Sequence, residues 1–180
     1  MSDSTRDPAP VTQGQAPRFE FIETWPAIEP ADAERVREFW KRENAIPDEQ
    51  QASRRLPQVA MIATTPDGEV AGVCTALQVV PPRLGQPVYY WRCFVGAAWR
   101  SSRLVDKLLR RSCATLDAYA RAHDFPCIGV LLELENSRFG EKLRTATWWN
   151  LRFSYIGKSP RGLDLRVHYF RGARLKESTS

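Results

Sequence analysis

The fold of this chain is decided by residues 90–109, which read YWRCFVGAAWRSSRLVDKLL. An apolar strand ends at a turn of small residues and leads directly into a basic amphipathic helix. A junction of this kind directs free backbone N–H groups and the positive end of a helix dipole at one point. The segment therefore predicts a binding site for phosphate or another anion.

Two strands flank the helix that follows this junction, which we expect to span Ser101 to His123. Val88 to Val95 precedes it, and Cys127 to Glu135 follows it as a nearly continuous apolar run, typical of a strand buried on both faces. Because a long helix joins the two strands, they should be parallel and adjacent, with a right-handed crossover.

The rest of the chain predicts an α/β fold with a mixed, mostly antiparallel sheet and helices on both faces. The expected order is β-α-α-β-β-β-α-β-α-β-β, without an internal repeat. The further elements are a strand at Phe19–Trp25, helices at Asp32–Asn44 and between Pro47 and Pro57, strands at Val59–Thr65 and Glu69–Val80, a helix at Gly140–Leu151, and a hairpin of Phe153–Gly157 with Leu163–Arg171.

Length and composition indicate one globular domain. The chain has 180 residues, of which 43% are hydrophobic and 26% charged, and we place a flexible arm at residues 1–18 before a domain at 19–175. No apolar run approaches the roughly 20 residues that span a bilayer. The N-terminus also has no apolar signal-peptide core, so a cytoplasmic protein without a membrane partner is expected.

The net charge of +5 favours an anionic ligand. Five basic residues crowd the turn and helix at 100–111, whereas no basic tail or alternation of basic and aromatic residues appears, so a nucleic-acid module is disfavoured. The cysteines lack metal-ligand spacing, which predicts buried reduced thiols and no metal site. They are Cys74, Cys93, Cys113 and Cys127.

The order of elements and three local motifs resemble the GNAT (N-acetyltransferase) superfamily over about residues 19 to 172. Residues 94–109 are similar to the family's acyl-CoA motif, which runs roughly hxVxPxxRxxGxGxxLL. Glu135-Asn136 closes a strand where the family often places an Asn. Residues 148–157, WWNLRFSYIG, parallel the family's YEKLGFxxxG run.

The resemblance implies acetyl-CoA, or another acyl-CoA, as co-substrate, bound in a cleft where the central parallel strands splay apart. It implies that the backbone of Phe94 and Val95 lines the pantetheine and that Asn136 lies beside the same cleft. In the family, amides of the RxxGxG loop bind the pyrophosphate. The matching residues here are Arg100, which opens the loop, and Ser101, Ser102, Arg103, Leu104 and Val105.

The chain departs from the family pattern at several positions. Arg103 and Val105 stand where the family usually has glycine or another small residue, and Ala97 replaces a proline. The Arg103 side chain either obstructs the phosphates or contacts them directly. Trp148 stands where many members carry a tyrosine proposed as the general acid, and an indole cannot supply that acid.

The function that these features predict is transfer of an acyl group from acyl-CoA to an amine of a small molecule or protein, by direct attack on the thioester. Glu133 and Glu135 share one strand face beside the proposed cleft and are candidate bases; the alternative is that they are ordinary ion-paired carboxylates. A second hypothesis is a catalytically degenerate GNAT-like domain that binds acyl-CoA or another protein. A homodimer is compatible with the sequence, which leaves the oligomeric state open.

Overall fold

One mixed sheet organises the chain in the computed structural model, which describes residues 17–135 and 144–176. Its strands run in the order β1-β2-β3-β4-β5-β8-β7-β6, and every neighbouring pair is antiparallel except β4 and β5. The strands are β1 (Glu20–Glu23), β2 (Val59–Thr64), β3 (Val70–Val79), β4 (Val88–Val95), β5 (Gly129–Leu134), β6 (Thr147–Trp148), β7 (Phe153–Lys158) and β8 (Asp164–Tyr169).

Helices cover both faces of the sheet, as the sequence predicted. They are α1 (Pro30–Arg42), α2 (Glu49–Arg55) and α3 (Leu104–Ala122). Side chains alternate along each strand, so neighbouring residues of β3 enter different cores. Val73 packs in a cluster with residues of α1 and α2, whereas Cys74 packs in a cluster with residues of α3.

The central strands β4 and β5 are parallel and adjacent only over a short length, with Tyr89 opposite Val130 and Tyr90 opposite Leu131. Beyond that point β4 stays paired with β3, and β5 stays paired with β8 as far as Leu134. The two strands therefore diverge after Tyr90. This arrangement confirms the predicted sheet with one splayed parallel pair.

The predicted helix at Gly140–Leu151 is wrong over the part that the structure describes. Thr147 and Trp148 form the short strand β6, which pairs with Ser154 and Phe153 of β7. Residues 149–152 are a turn. Trp148 and Phe153 are both buried and contact each other across the hairpin. This cross-strand contact stabilises the hairpin more than a single helical turn would stabilise a helix here. Residues 140–143 lie outside the described residues.

Other element boundaries differ slightly from expectation. Helix α3 begins at Leu104 instead of Ser101, because Arg103 has a left-handed backbone that a right-handed helix cannot include. Strand β5 begins at Gly129 instead of Cys127. In the described parts of the chain, no helix combines the length and apolar character needed to cross a membrane.

Candidate active site

A cavity of about 880 Å³ occupies the gap between β4 and β5. Its walls come from strands β3, β4 and β5, from helices on both faces, and from the β6–β7 turn. Among the residues that line it are Trp40, Ile46, Arg55, Tyr90, Trp91, Arg92, Cys93, Phe94, Arg103, Val105, Asp106, Leu109, Arg110, Leu132, Glu133, Leu134, Glu135, Trp148 and Asn150.

Strand alternation divides the side chains of the gap between the two sheet faces. Trp91 and Leu132 lie on the α3 side, whereas Tyr90, Arg92 and Glu133 lie on the side of α1 and α2, which we call the polar side. On β4, Trp91 faces α3, where its indole Nε1 donates to Ser112 Oγ at 2.8 Å. Phe94, on the other face of the same strand, points towards α1 and meets the Phe39 ring edge-on, with 5.8 Å between the ring centroids. Arg92 shares the face of Phe94, because side chains two apart on a strand point the same way.

The loop between β4 and α3 is held at several points. The Gly96 N–H donates to the Ala71 carbonyl at 2.9 Å, and the Ala97 N–H donates to Glu43 Oε2 at 3.0 Å. Trp99 then packs edge-on against Phe19, with ring centroids 5.5 Å apart. These contacts fix the direction in which the chain enters α3.

Arg103 is the N-cap residue of α3 and has φ +58° and ψ +23°. This left-handed conformation is the one that glycine adopts most easily. Its side chain makes no capping hydrogen bond, so the amides of Leu104 and Val105 in the first turn are left without a side-chain cap. The Arg103 side chain is 85% exposed, and its Nη2 lies 3.6 Å from Asp106 Oδ2. The start of α3 therefore presents N–H groups, the helix dipole and a cation at the cavity.

Of the other predicted cofactor residues, Phe94, Val95 and Arg100 differ in where their side chains lie. Phe94 lines the cavity, whereas Val95 is buried in the core beneath α3. Arg100 folds back over β4: its Nε lies 3.4 Å from the Val95 carbonyl oxygen, and its guanidinium lies 5.7 Å from the Phe94 ring centroid. Arg100 is thus placed as a support of the loop.

The two serines of the loop differ. Ser101 is exposed. Ser102 donates both its backbone N–H, at 3.1 Å, and its hydroxyl, at 2.6 Å, to the Trp99 carbonyl. The Ser102 amide is therefore occupied within the loop. Asn136 lies outside the described residues.

A hydrogen-bonded cluster forms on the polar side. The Tyr90 hydroxyl donates to Glu133 Oε2 at 2.5 Å. Arg161, on the β7–β8 turn, lies 3.3 Å from Glu133 Oε2 and 3.0 Å from Glu135 Oε1. Glu133 is nearly enclosed, with a side chain 9% exposed, whereas that of Glu135 is 64% exposed. The structure brings both predicted carboxylates to the cavity wall and shows that both are paired with an arginine.

The surroundings of Glu133 keep it ionised. Burial favours its neutral form, but hydrogen bonds from Ser159 and Tyr90 and the positive charges of Arg161 and Arg92 together lower its pKa. Burial raises the pKa of Tyr90, and its hydrogen bond to Glu133 adds to that effect. Tyr90 is therefore a neutral donor to an anionic carboxylate at neutral pH.

Sequence reasoning missed Arg55 and Arg92 as cavity residues. Burial lowers the pKa of Arg55, and the neighbouring charge of Arg92 lowers it further. The alternation along β4 could have placed Arg92 beside Tyr90. Arg55 comes from α2, which is distant in sequence, and no local pattern connects it with this cavity.

The four cysteines are free thiols; Cys74, Cys113 and Cys127 are buried as predicted, whereas Cys93 is half-buried. Cys93 lines the cavity, but burial raises its pKa well above the usual range, with Cys74 adding to the effect. Burial also raises the pKa of Cys74 to about 12. A protonated thiol is a poor nucleophile. The described part of the chain contains no group of His, Cys, Asp and Glu side chains arranged for a metal ion.

Trp148 lies in the cavity wall and is buried. The Arg166 guanidinium lies 4.2 Å from its ring centroid, within the range of a cation–π contact. Its indole N–H is a donor without useful acidity. Trp148 therefore shapes the cavity and offers no proton to a departing thiolate.

Solved acetyltransferase structures share this architecture. The chain is similar to a GNAT family N-acetyltransferase from Escherichia coli in complex with CoA, at 14% identity over 88% of this chain and 85% of that chain, with a TM-score of 0.56. A GNAT family acetyltransferase from Brucella melitensis in complex with acetyl-CoA is 17% identical over 87% of this chain and 91% of its own, with a TM-score of 0.52.

A third structure, an acetyltransferase of the GNAT family from Listeria monocytogenes, is 14% identical over 84% of this chain and 95% of its own, with a TM-score of 0.53. No protein-family model and no curated protein matches the sequence. At these identities the likeness concerns the path of the backbone. With its splayed parallel pair and its α3 junction, the chain has the fold of the GNAT acetyltransferases.

Proposed function

We propose that this protein is an N-acyltransferase that moves an acetyl or other acyl group from acyl-CoA to an amine. The observation that carries the proposal is the cavity in the gap between β4 and β5, with the uncapped start of α3 on its wall. Similar structures that contain CoA or acetyl-CoA support the same ligand here.

In this proposal the start of α3 binds the pyrophosphate. The amides of Leu104 and Val105 and the α3 dipole attract the phosphates. The Arg103 guanidinium adds a charge-assisted contact, because it is exposed and its Asp106 partner is 3.6 Å away. The left-handed backbone of Arg103 supplies the loop shape that a glycine would otherwise give.

The pantetheine would lie along the edge of β4. Beyond Tyr90 this edge no longer pairs with β5. The Gly96 N–H donates to Ala71 of β3, so by alternation the backbone groups of Cys93 and Val95 point into the gap and can bond to the amides of an extended ligand. Trp91, Leu132 and Trp148 enclose the α3 side of the gap. A thioester in the gap would then face the polar side of the cavity.

The amine attacks the thioester carbonyl carbon from that polar side. A C–N bond forms, the C–S bond breaks, the amine loses one proton and the CoA thiolate gains one. Glu133 and Glu135 are the candidate acceptors of the amine proton, directly or through water. Since the Glu133 pKa is lowered, Glu133 suits binding of a cationic amine, and the more exposed Glu135 suits proton transfer to solvent.

A thermal-shift titration with CoA and acetyl-CoA tests the donor site. A ligand at 100 times its Kd stabilises the native state by about 2.7 kcal/mol, which for a domain of this size raises Tm by roughly 5–10 °C. Leu104 and Val105 contribute backbone groups, so Arg103→Ala serves as the side-chain variant and should weaken the shift. Absence of any shift at millimolar CoA would refute the donor site.

Thiol release from acetyl-CoA across a panel of amines tests transfer. We expect amine-dependent release that falls by about 10²-fold or more in a Glu133→Gln, Glu135→Gln double variant, the scale of general-base catalysis. CoA binding without thiol release from any amine would instead support the degenerate domain that binds acyl-CoA or another protein.

A further inference from the structure

Two arginines on the polar side of the cavity carry charges that the described carboxylates do not pair directly. Arg55 projects from the end of α2 and Arg92 from β4, and both line the cavity. Arg92 lies over the Tyr90 ring, with its guanidinium carbon 4.6 Å from the centroid. Across residues 17–135 and 144–176, neither guanidinium forms an ion pair with a carboxylate.

The nearby carboxylates act on the two arginines only at longer range: Arg92 contributes to the lowered pKa of Glu133, and Glu135 favours the charged form of Arg55. Glu133 and Glu135 are both engaged by Arg161. Burial and then the charge of Arg92 lower the pKa of Arg55, which disfavours the charged form of Arg55. Arg55 is half-buried and Arg92 is exposed, so an anion that binds between them would relieve the repulsion that Arg55 experiences.

These cations lie apart from the proposed phosphate site. Arg92 shares a strand face with Phe94, which packs on Phe39 of α1. The start of α3 belongs to the core on the opposite face. A pyrophosphate at the start of α3 therefore leaves Arg55 and Arg92 for a second ligand.

We propose that Arg55 and Arg92 bind a carboxylate or phosphate group of the amine acceptor, so that the acceptor is a molecule with both an amine and an oxyanion. Guanidinium groups match the planar oxygen pair of a carboxylate and the oxygens of a phosphate. With the oxyanion at these arginines, the amine of the same molecule reaches Glu133 and Glu135. The inference rests on the proposed transfer function, whose donor site is tested separately.

The experiment measures acceptor binding by thermal shift in the presence of saturating CoA. The probes are matched pairs: L-amino acids against their amides, and phosphoethanolamine against ethanolamine. Arg55→Met and Arg92→Met remove each charge while keeping an unbranched chain, and Arg54→Met is the control, since Arg54 is an exposed neighbour on the same helix. The CoA-induced shift of each variant reports whether it is folded.

The expected result is that at least one oxyanion probe stabilises the protein while its uncharged partner does not. The carboxylate and phosphate arms then identify which oxyanion is preferred. Arg55→Met and Arg92→Met should weaken that probe at least tenfold while the CoA-induced shift is kept, and Arg54→Met should leave both unchanged. In thiol release the same variants should raise the acceptor KM and leave the acetyl-CoA KM within about twofold.

Equal stabilisation by charged and uncharged partners, or unchanged affinity in both arginine variants, would overturn the inference while the donor site stands. A protein that CoA does not stabilise would refute the transfer function instead. In that case the matched probes without CoA still decide whether Arg55 and Arg92 bind an oxyanion.

Discussion

At the scale of single residues, the backbone conformation and the side-chain charge of Arg103 have separate effects that two substitutions can distinguish. Its left-handed conformation costs a non-glycine residue about 1–2 kcal/mol, and glycine regains part of this at the expense of unfolded-state entropy. We expect Arg103→Gly to raise the free energy of unfolding by about 0.5–1 kcal/mol. Arg103→Ala, which keeps the Cβ, should show no such gain in denaturant unfolding.

The same pair of variants tests the phosphate contact. If the guanidinium binds the pyrophosphate, both variants lose about tenfold in CoA affinity, the scale of one charged hydrogen bond. Isothermal titration of CoA measures this directly. Tighter binding by Arg103→Gly would show that the side chain obstructs the phosphates and would reverse the assignment made here.

Glu133 makes stability depend on pH. Its folded-state pKa is lowered from the ordinary value of 4.5, so its contribution is complete above pH 4.5 and is lost as the pH falls through the lower folded-state pKa. Glu133→Gln should therefore reduce the free energy of unfolding at pH 7 by about 1 kcal/mol. The deficit should shrink as the pH drops below 4.5.

Glu135→Gln is the matched control for this measurement. Its carboxylate is 64% exposed and meets the same arginine, and exposed ion pairs contribute little to stability. Denaturant unfolding at pH 7 and pH 4 compares the two variants. A pH-independent deficit in Glu133→Gln would contradict the role given to its charge.

At the scale of elements, the contact between β5 and β8 depends on Gly129. A Cβ built at this position would lie 2.3 Å from the His168 carbonyl oxygen, which belongs to the neighbouring backbone and cannot move aside alone. We expect Gly129→Ala to destabilise the protein by about 3 kcal/mol. Denaturant unfolding checks the value.

Gly72→Ala provides the comparison. Its Cβ would meet only side-chain ends, with Leu108 Cδ1 at 3.1 Å and Val95 Cγ2 at 3.3 Å. Those side chains can adjust, so the cost should stay near 1 kcal/mol. Equal costs at Gly72 and Gly129 would show that the β5–β8 backbone is more adaptable than its geometry implies.

Strands and helices whose pattern of apolar residues matches the face that they bury were predictable from the sequence. Strand β4 has the predicted bounds, Val88–Val95, and α3 begins three residues later and ends one residue earlier than predicted. The failures occur where tertiary contacts decide. Trp148 becomes a strand residue because it meets Phe153, and Arg103 adopts a glycine-like backbone. Arg55 reaches the cavity only through the packing of α2, which no local sequence pattern encodes.

At the scale of the whole molecule, the cavity is lined from both faces of the sheet, which favours simultaneous binding of donor and acceptor. Cys93 is held as a neutral thiol by its raised pKa, so no acyl-enzyme is expected. Initial rates should give intersecting lines in double-reciprocal plots. Cys93→Ala should retain activity within a few-fold, and parallel lines or a covalent acyl adduct in mass spectrometry would contradict direct transfer.

The parting of β4 and β5 also bears on solubility. An unpaired strand edge ordinarily recruits a strand from another chain and promotes aggregation. Here the unpaired length of β4 lies in the interior of the sheet, with Trp91 and Trp148 in the cavity wall beside it. The unpaired edge of β4 is thus open to a ligand in the cavity while it is not an outer edge of the sheet, where a strand of another copy would pair.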